Sequence, residues 1–161
     1  MRWRAMEPGD LDGVAAVARV AFPDHPEDRA CFAERLALCP SLCWVLDAGG
    51  VVAGYLIAYP WPLGAVPPLN ALLGSLPAHA DAHYLHDLAL LPAARGGGHA
   101  AAGLALLFAR VATPIALVSV NESAAFWRGH GFAVVDRPDL RAKLFSYGDA
   151  ARYMVREPAR G

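Results

Sequence analysis

Lysine is almost absent from this 161-residue chain: Lys143 is the only one among 14 basic side chains. The arginine excess fits a GC-rich bacterial coding sequence. Cysteine is also scarce. Cys31, Cys39 and Cys43 form no Cys-x-x-Cys pair, so they give neither an even disulfide framework nor a zinc spacing. They read as small hydrophobic residues in a reducing cytoplasm, with no metal site. Neither sign of charge is in excess, since 14 basic against 15 acidic residues leave a formal net charge of -1. A chain without a positive field is not built to hold nucleic acid. A long unbroken hydrophobic run is missing too. Residues 51–80 contain no Asp, Glu, Lys or Arg, but Pro60, Pro62, Pro67, Pro68 and Pro77 interrupt them. A membrane-spanning helix needs about 20 continuous residues, and proline breaks it. Met1-Arg2-Trp3-Arg4 has no apolar stretch behind it, unlike a signal peptide. A soluble cytoplasmic protein with no membrane partner is expected.

What the chain has is apolar mass: 56% hydrophobic and 18% charged residues predict a folded globular chain rather than a disordered one. Its length predicts one domain, residues 1–161. A short strand is expected over residues 3–6, then a turn, with Asp10 capping a helix over 11–22. Pro26 and Glu27 are expected to open a second helix that Pro40 stops. Residues 42–46 and 51–59 read as a hairpin around Asp47-Ala48-Gly49-Gly50. Residues 60–80 read as a long apolar loop with one helical turn near 69–73, and loops of that length are usually functional. Strands are expected over 83–91 and 115–120, helices over 98–111 and 123–130, and a last central strand over 132–135. The tail beyond 139 is mixed. This order predicts an α/β (α+β) layered domain.

The most informative segment runs from Tyr84 to Ala100, where a strand leads through Arg95-Gly96-Gly97-Gly98 into a helix. A helix start presents unpaired N–H groups at the positive end of its dipole. Glycines let a phosphate approach that backbone closely. No Gly-Lys-Ser/Thr follows, which excludes a Walker A loop. Gly96, Gly98 and Ala101 can be forced into a dinucleotide fingerprint with Glu122 as the ribose acid, but too little chain follows for a doubly wound sheet.

Arg95-x-x-Gly98-x-Ala100 after a strand resembles the pyrophosphate motif Gln/Arg-x-x-Gly-x-Gly/Ala of the GNAT superfamily of N-acetyltransferases. Downstream, Asn121-Glu122-Ser123-Ala124-Ala125-Phe126-Trp127 with Gly131-Phe132 is similar to that family's second cofactor segment. The resemblance implies a mixed, mostly antiparallel sheet flanked by helices and splayed between strands 4 and 5, with acetyl-CoA in the opening. It assigns Leu88, Ala89 and Leu90 to the acetyl and pantetheine portions. The amides of Arg95, Gly96, Gly97, Gly98, His99 and Ala100 go to the pyrophosphate. Asn121 goes to the pantetheine arm, and Phe126 and Trp127 to the thiol end.

Two departures concern catalysis. Many family members carry a Tyr where this chain has Trp127, and an indole N–H is no general acid. Tyr147 is the candidate replacement, or else an amphipathic surface aromatic; an acidic CoA thiol can also leave unaided. Leu85-His86-Asp87 stands where polyamine acetyltransferases of the superfamily have Leu-Glu-Asp. His86, with a reference pKa near 6.5, and Asp87 are both candidate bases, and a regular strand sends them to opposite faces unless it bulges. The expected activity is direct transfer from acetyl-CoA to a primary amine of a small molecule or peptide. A non-catalytic acyl-CoA-binding module of the same fold is the alternative, and the 60–77 loop is a candidate homodimer interface. A polycationic acceptor would have to rely on Asp24, Glu27, Asp28 or Asp87.

Overall fold

A computed structural model describes residues 1–25 and 27–159. Seven strands form one mixed sheet in the order β1-β2-β3-β4-β5-β7-β6. β1 (Arg2–Ala5), β2 (Cys43–Ala48), β3 (Val51–Trp61) and β4 (Ala82–Leu90) pair antiparallel in succession. The hairpin turns at Gly49 and Gly50, whose φ values of 64° and 94° suit glycine. β5 (Ile115–Ser119) lies parallel to β4, paired only at His83↔Ile115 and Tyr84↔Ala116. Beyond Tyr84 the two strands separate, leaving one edge of β4 unpaired as far as Leu90. This is the expected fold, splayed between strands 4 and 5.

α1 (Leu11–Ala21) buries Leu11, Val14, Ala15, Val17 and Ala18, a stripe at helical spacing. It packs with α2 (Arg29–Leu38) on β3. α3 (His99–Arg110) is held to β1 through Trp3. The Trp3 indole Nε1 donates to the carbonyl of His99 at 2.8 Å, and a Cβ on Gly103 would meet that ring at 2.7 Å. The two remaining helices are short: α4 (Ala124–Arg128) and α5 (Arg141–Phe145). Among the described residues no helix is long and apolar enough to cross a membrane.

Four expectations need correction. Asp10 does not cap α1 with its side chain: its carboxylate turns back to the Glu7 N–H and to Arg4, each at 2.8 Å. α2 begins at Arg29 rather than at Glu27, and Pro26 lies outside the described residues. Glu27 thus lies outside the helix, and its carboxylate meets His86 of β4. The last central strand is not residues 132–135 but β7 (Arg152–Arg156), from the tail; β6 (Ala133–Val134) is a two-residue edge strand outside it. β7 escaped notice because Arg152 and Arg156 bracket its apolar Tyr153-Met154-Val155.

The fourth correction concerns residues 62–81, which form an irregular strap with no helical turn. Its amides go to acidic side chains instead. The N–H of Asn70 donates to Glu27 Oε2 at 3.1 Å, and those of Leu73 and Gly74 donate to the Glu34 carboxylate at 2.6 and 3.0 Å. At the other end the Lys143 ammonium donates to the carbonyl of Val66 at 2.8 Å, and the Tyr147 hydroxyl to that of Pro67 at 2.6 Å. Val66 and Pro67 are buried within the chain, whereas Leu63 and Leu72 are exposed.

Candidate active site

The opening between β4 and β5 contains two adjoining clefts that share Phe22, Leu88, Ser123 and Phe126 as walls. The wider one, about 610 Å³, lies along the end of β4 and the start of α3. Of the residues expected to bind the cofactor, Leu88, Ala89, Leu90, Arg95, Gly96, Gly98, His99, Ala100 and Phe126 line it; Gly97 does not. Gly96 and Gly98 hold φ of 82° and 79°, and a Cβ on either would meet nothing within 4 Å. The left-handed backbone therefore favours glycine, and the space beside the turn is open. α3 starts at Gly98 with no side-chain cap, so its first-turn N–H groups remain available to an anion. The exposed Arg95 side chain folds back, its Nε donating to the carbonyl of Leu90 at 3.3 Å.

Asn121 and Glu122, at φ 53° and 59°, make the sharp exit from β5, a conformation that asparagine tolerates better than most residues. That turn sets Trp127 against Phe126 and Phe132, with ring centroids 4.9 and 5.4 Å apart. Asn121, Phe126 and Trp127 then wall the second, narrower pocket of about 220 Å³.

At the floor of that pocket His86 and Asp87 stand together, because β4 bulges. Ile57 pairs with Asp87 and Ala58 with Leu85, leaving His86 as the extra residue. The bulge breaks the alternation and turns both side chains to one pocket. Each meets a tyrosine of β3. The Tyr55 hydroxyl donates to Asp87 Oδ2 at 2.8 Å, and the Tyr59 hydroxyl lies 3.1 Å from His86 Nδ1. The other imidazole nitrogen, Nε2, lies 2.5 Å from Glu27 Oε1 and 4.0 Å from Asp87 Oδ2. Both His86 nitrogens are therefore engaged, whereas Asp87 Oδ1 has no hydrogen-bond partner among the described residues.

Behind this cluster Arg35 is fully buried, 5.9 Å from the Tyr59 ring and paired with Glu34 at 3.0 Å. Its Nε and Nη2 have no hydrogen-bond partner among the described residues. Burial opposes charging of His86, but Asp87 and Glu27 outweigh it and hold the imidazole pKa above its ordinary value. Burial likewise opposes ionisation of Glu27, yet the charge and hydrogen bond of His86 prevail and hold that carboxyl below its usual range. For Asp87 burial dominates, against the opposing pull of His86, and its pKa is pushed up to about 6. The arrangement is a hydrogen-bonded imidazole–carboxylate pair, Glu27 and His86, beside the second carboxylate of Asp87.

Tyr147 also faces this pocket, but its hydroxyl proton is committed to the Pro67 carbonyl, and burial raises its pKa. The structure brings His86, Asp87 and Tyr147 to one pocket but ties the tyrosine to the strap. Sequence reasoning missed the role of Glu27 as the partner of His86, and missed Tyr55, Tyr59, Arg35 and Asn70 altogether. One signal was present: two tyrosines four apart on a single strand face of an otherwise apolar run require polar partners on the neighbouring strand.

Solved structures share this architecture. A GNAT-like decarboxylase, GphF, in complex with isobutyryl-CoA superposes with a TM-score of 0.78 at 22% identity, covering 99% of this chain and 100% of that one. N-acetylglutamate synthase from Neisseria gonorrhoeae, complexed with coenzyme A and N-acetyl-glutamate, gives 0.72 at 19% identity, over 99% of this chain and 35% of that one. The NatC complex bound to Gag peptide and CoA gives 0.71 at 15% identity, over 98% of each chain. No curated protein matches the sequence significantly. The family model described as Acetyltransferase (GNAT) family matches residues 11–132, from the start of α1 to the Gly-Phe that follows α4, and the chain belongs to that family.

Proposed function

We propose that this protein transfers the acetyl group of acetyl-CoA to a primary amine, with both substrates bound at once and no covalent enzyme intermediate. The observation that carries the reading is the bulge in β4, which sets a carboxylate with a free oxygen beside the splayed cleft. In this reading the α3 start holds the pyrophosphate. The unpaired edge of β4 near Ala89 and Leu90 orients the thioester and polarises its carbonyl. Asp87 takes one proton from the bound ammonium, which frees the nitrogen lone pair. The nitrogen attacks the carbonyl carbon, the C–S bond breaks, and the second nitrogen proton ends on the departing sulfur. A carboxyl with a pKa near 6 is close to the working range of a general base. His86, held by Glu27 and Tyr59, is a positioning residue that sets the charge around Asp87. Tyr147 anchors the strap rather than protonating the thiolate.

The likeness to a GNAT-like decarboxylase suggests loss of a carboxylate from an acyl-CoA as another reaction. The pocket disfavours it, because Asp24, Glu27 and Asp87 line the site and, among the described residues, no Lys or Arg does. A binding module without catalysis would have no need of the buried Glu27–His86–Asp87 array. The test is mass detection of acetylated products from acetyl-CoA and a panel of amines, amino acids and peptides. Acetylation that depends on Asp87 supports the proposal; tight acetyl-CoA binding with no acetylated product overturns it.

A further inference from the structure

We infer that the acceptor is a small primary amine with an apolar body and no carboxylate beside its nitrogen; the inference rests on the acetyl-transfer reading above. Three observations define this substrate class. The first is charge. Three carboxylates, Asp24, Glu27 and Asp87, line the pocket, and the last two lie 2.5 and 4.0 Å from His86 Nε2, which makes the pocket floor acidic. An ammonium complements that floor. A free α-amino acid brings a carboxylate within a bond or two of its nitrogen, and no lysine or arginine among the described lining residues could receive it. Arg35 is not available, since it is fully buried behind Tyr59.

The second observation is the wall above the floor. Phe22, Phe32, Leu69, Tyr84 and Trp127 enclose the space around the carboxylates. An acceptor with an apolar body removes this surface from water, whereas a second ammonium placed against it would lose its hydration.

The third is the strap. It is fastened on one side to Glu27 and Glu34, through Asn70, Leu73 and Gly74. On the other side it is fastened to Lys143 and Tyr147, through Val66 and Pro67. Leu69, between those fastenings, lines the pocket. The strap thus spans the acceptor side, where a peptide main chain would have to leave. The pocket volume of about 220 Å³ falls below the ~300–1,000 Å³ of sites for drug-sized ligands, which suits a small molecule better than a polypeptide.

The test compares matched acceptors on the intact protein with saturating acetyl-CoA, scored as kcat/KM by mass detection. The set is 2-phenylethylamine against L-phenylalanine, n-pentylamine against 1,4-diaminobutane, and a C-terminally amidated tetrapeptide with an N-terminal phenylalanine. 2-Phenylethylamine should exceed L-phenylalanine by at least about a hundredfold, because like charges brought together across a buried contact are strongly penalised. It should also exceed the tetrapeptide, and n-pentylamine should exceed the diamine. Preference for L-phenylalanine, the diamine or the tetrapeptide, with acetylation still occurring, overturns the inference while leaving acetyl transfer intact. Acetylation of none of them, with acetyl-CoA bound, overturns both.

Discussion

Glu27 Oε1 lies 2.5 Å from His86 Nε2, across 59 residues of sequence. The same carboxylate, through Oε2, accepts the N–H of Asn70. One side chain therefore joins Asp87 in favouring the charged imidazole and also fastens the strap over the pocket. Replacing Glu27 with Gln should lower the His86 pKa and loosen residues 62–81 together. Removing one partner of a buried pair costs about 3 kcal/mol, read as a loss in denaturant midpoint. Imidazole nitrogen shifts followed through a pH titration check the pKa; an unmoved His86 titration would show that Glu27 does not set it. The sign of the linkage follows from the two shifts. The raised His86 pKa contributes stability that is complete below about 6.5 and is lost as pH rises through its folded value. The depressed Glu27 pKa contributes stability present above its unfolded value of about 4.3 and lost as pH falls through the folded one.

Asp87 should carry the acidic limb of the rate profile. Its carboxylate is the acting form, so kcat/KM should rise with pH through about 6. Asp87→Asn should lower kcat/KM by roughly 10²- to 10⁴-fold and remove that limb, with the circular dichroism spectrum unchanged. A variant that keeps both the rate and the limb would show that the proton goes elsewhere.

Tyr147→Phe separates anchoring from acid catalysis. The Pro67 carbonyl would lose its donor, at a cost of about 1 kcal/mol, and the amine KM should rise as the strap loosens. The value of kcat should fall less than about tenfold, whereas loss of a general acid would lower it by ~10² or more. A large kcat loss with KM unchanged would return the tyrosine to the chemistry.

Gly98 tests the α3 start. Its φ of 79° strains any replacement, but a Cβ there meets nothing within 4 Å, so folding should survive. Asparagine accepts that conformation without charge, and aspartate adds a negative charge at the helix start. By calorimetry Gly98→Asp should weaken acetyl-CoA binding about tenfold more than Gly98→Asn, the size expected for one charge at a helix terminus near a phosphate. Equal affinities would mean that the phosphates lie away from this turn.

The sequence by itself determined the frame: the hairpin turning at Gly49 and Gly50, the apolar stripe of α1, and the glycines before α3 that need positive φ. These rest on local chemistry, on side-chain period and on backbone conformations open to few residues, and such signals survive in a linear string. It also showed His86 and Asp87 side by side. Only the tertiary structure decided how they act, because a bulge depends on the register of two paired strands and cannot be read from one of them. Register set Tyr55 and Tyr59 under Asp87 and His86. Chain path brought Glu27 from an unwound segment before α2, and acidic side chains took up the strap amides that a helical turn would have used. Those long-range contacts convert two adjacent residues into an imidazole–carboxylate pair and a carboxylate with a free oxygen.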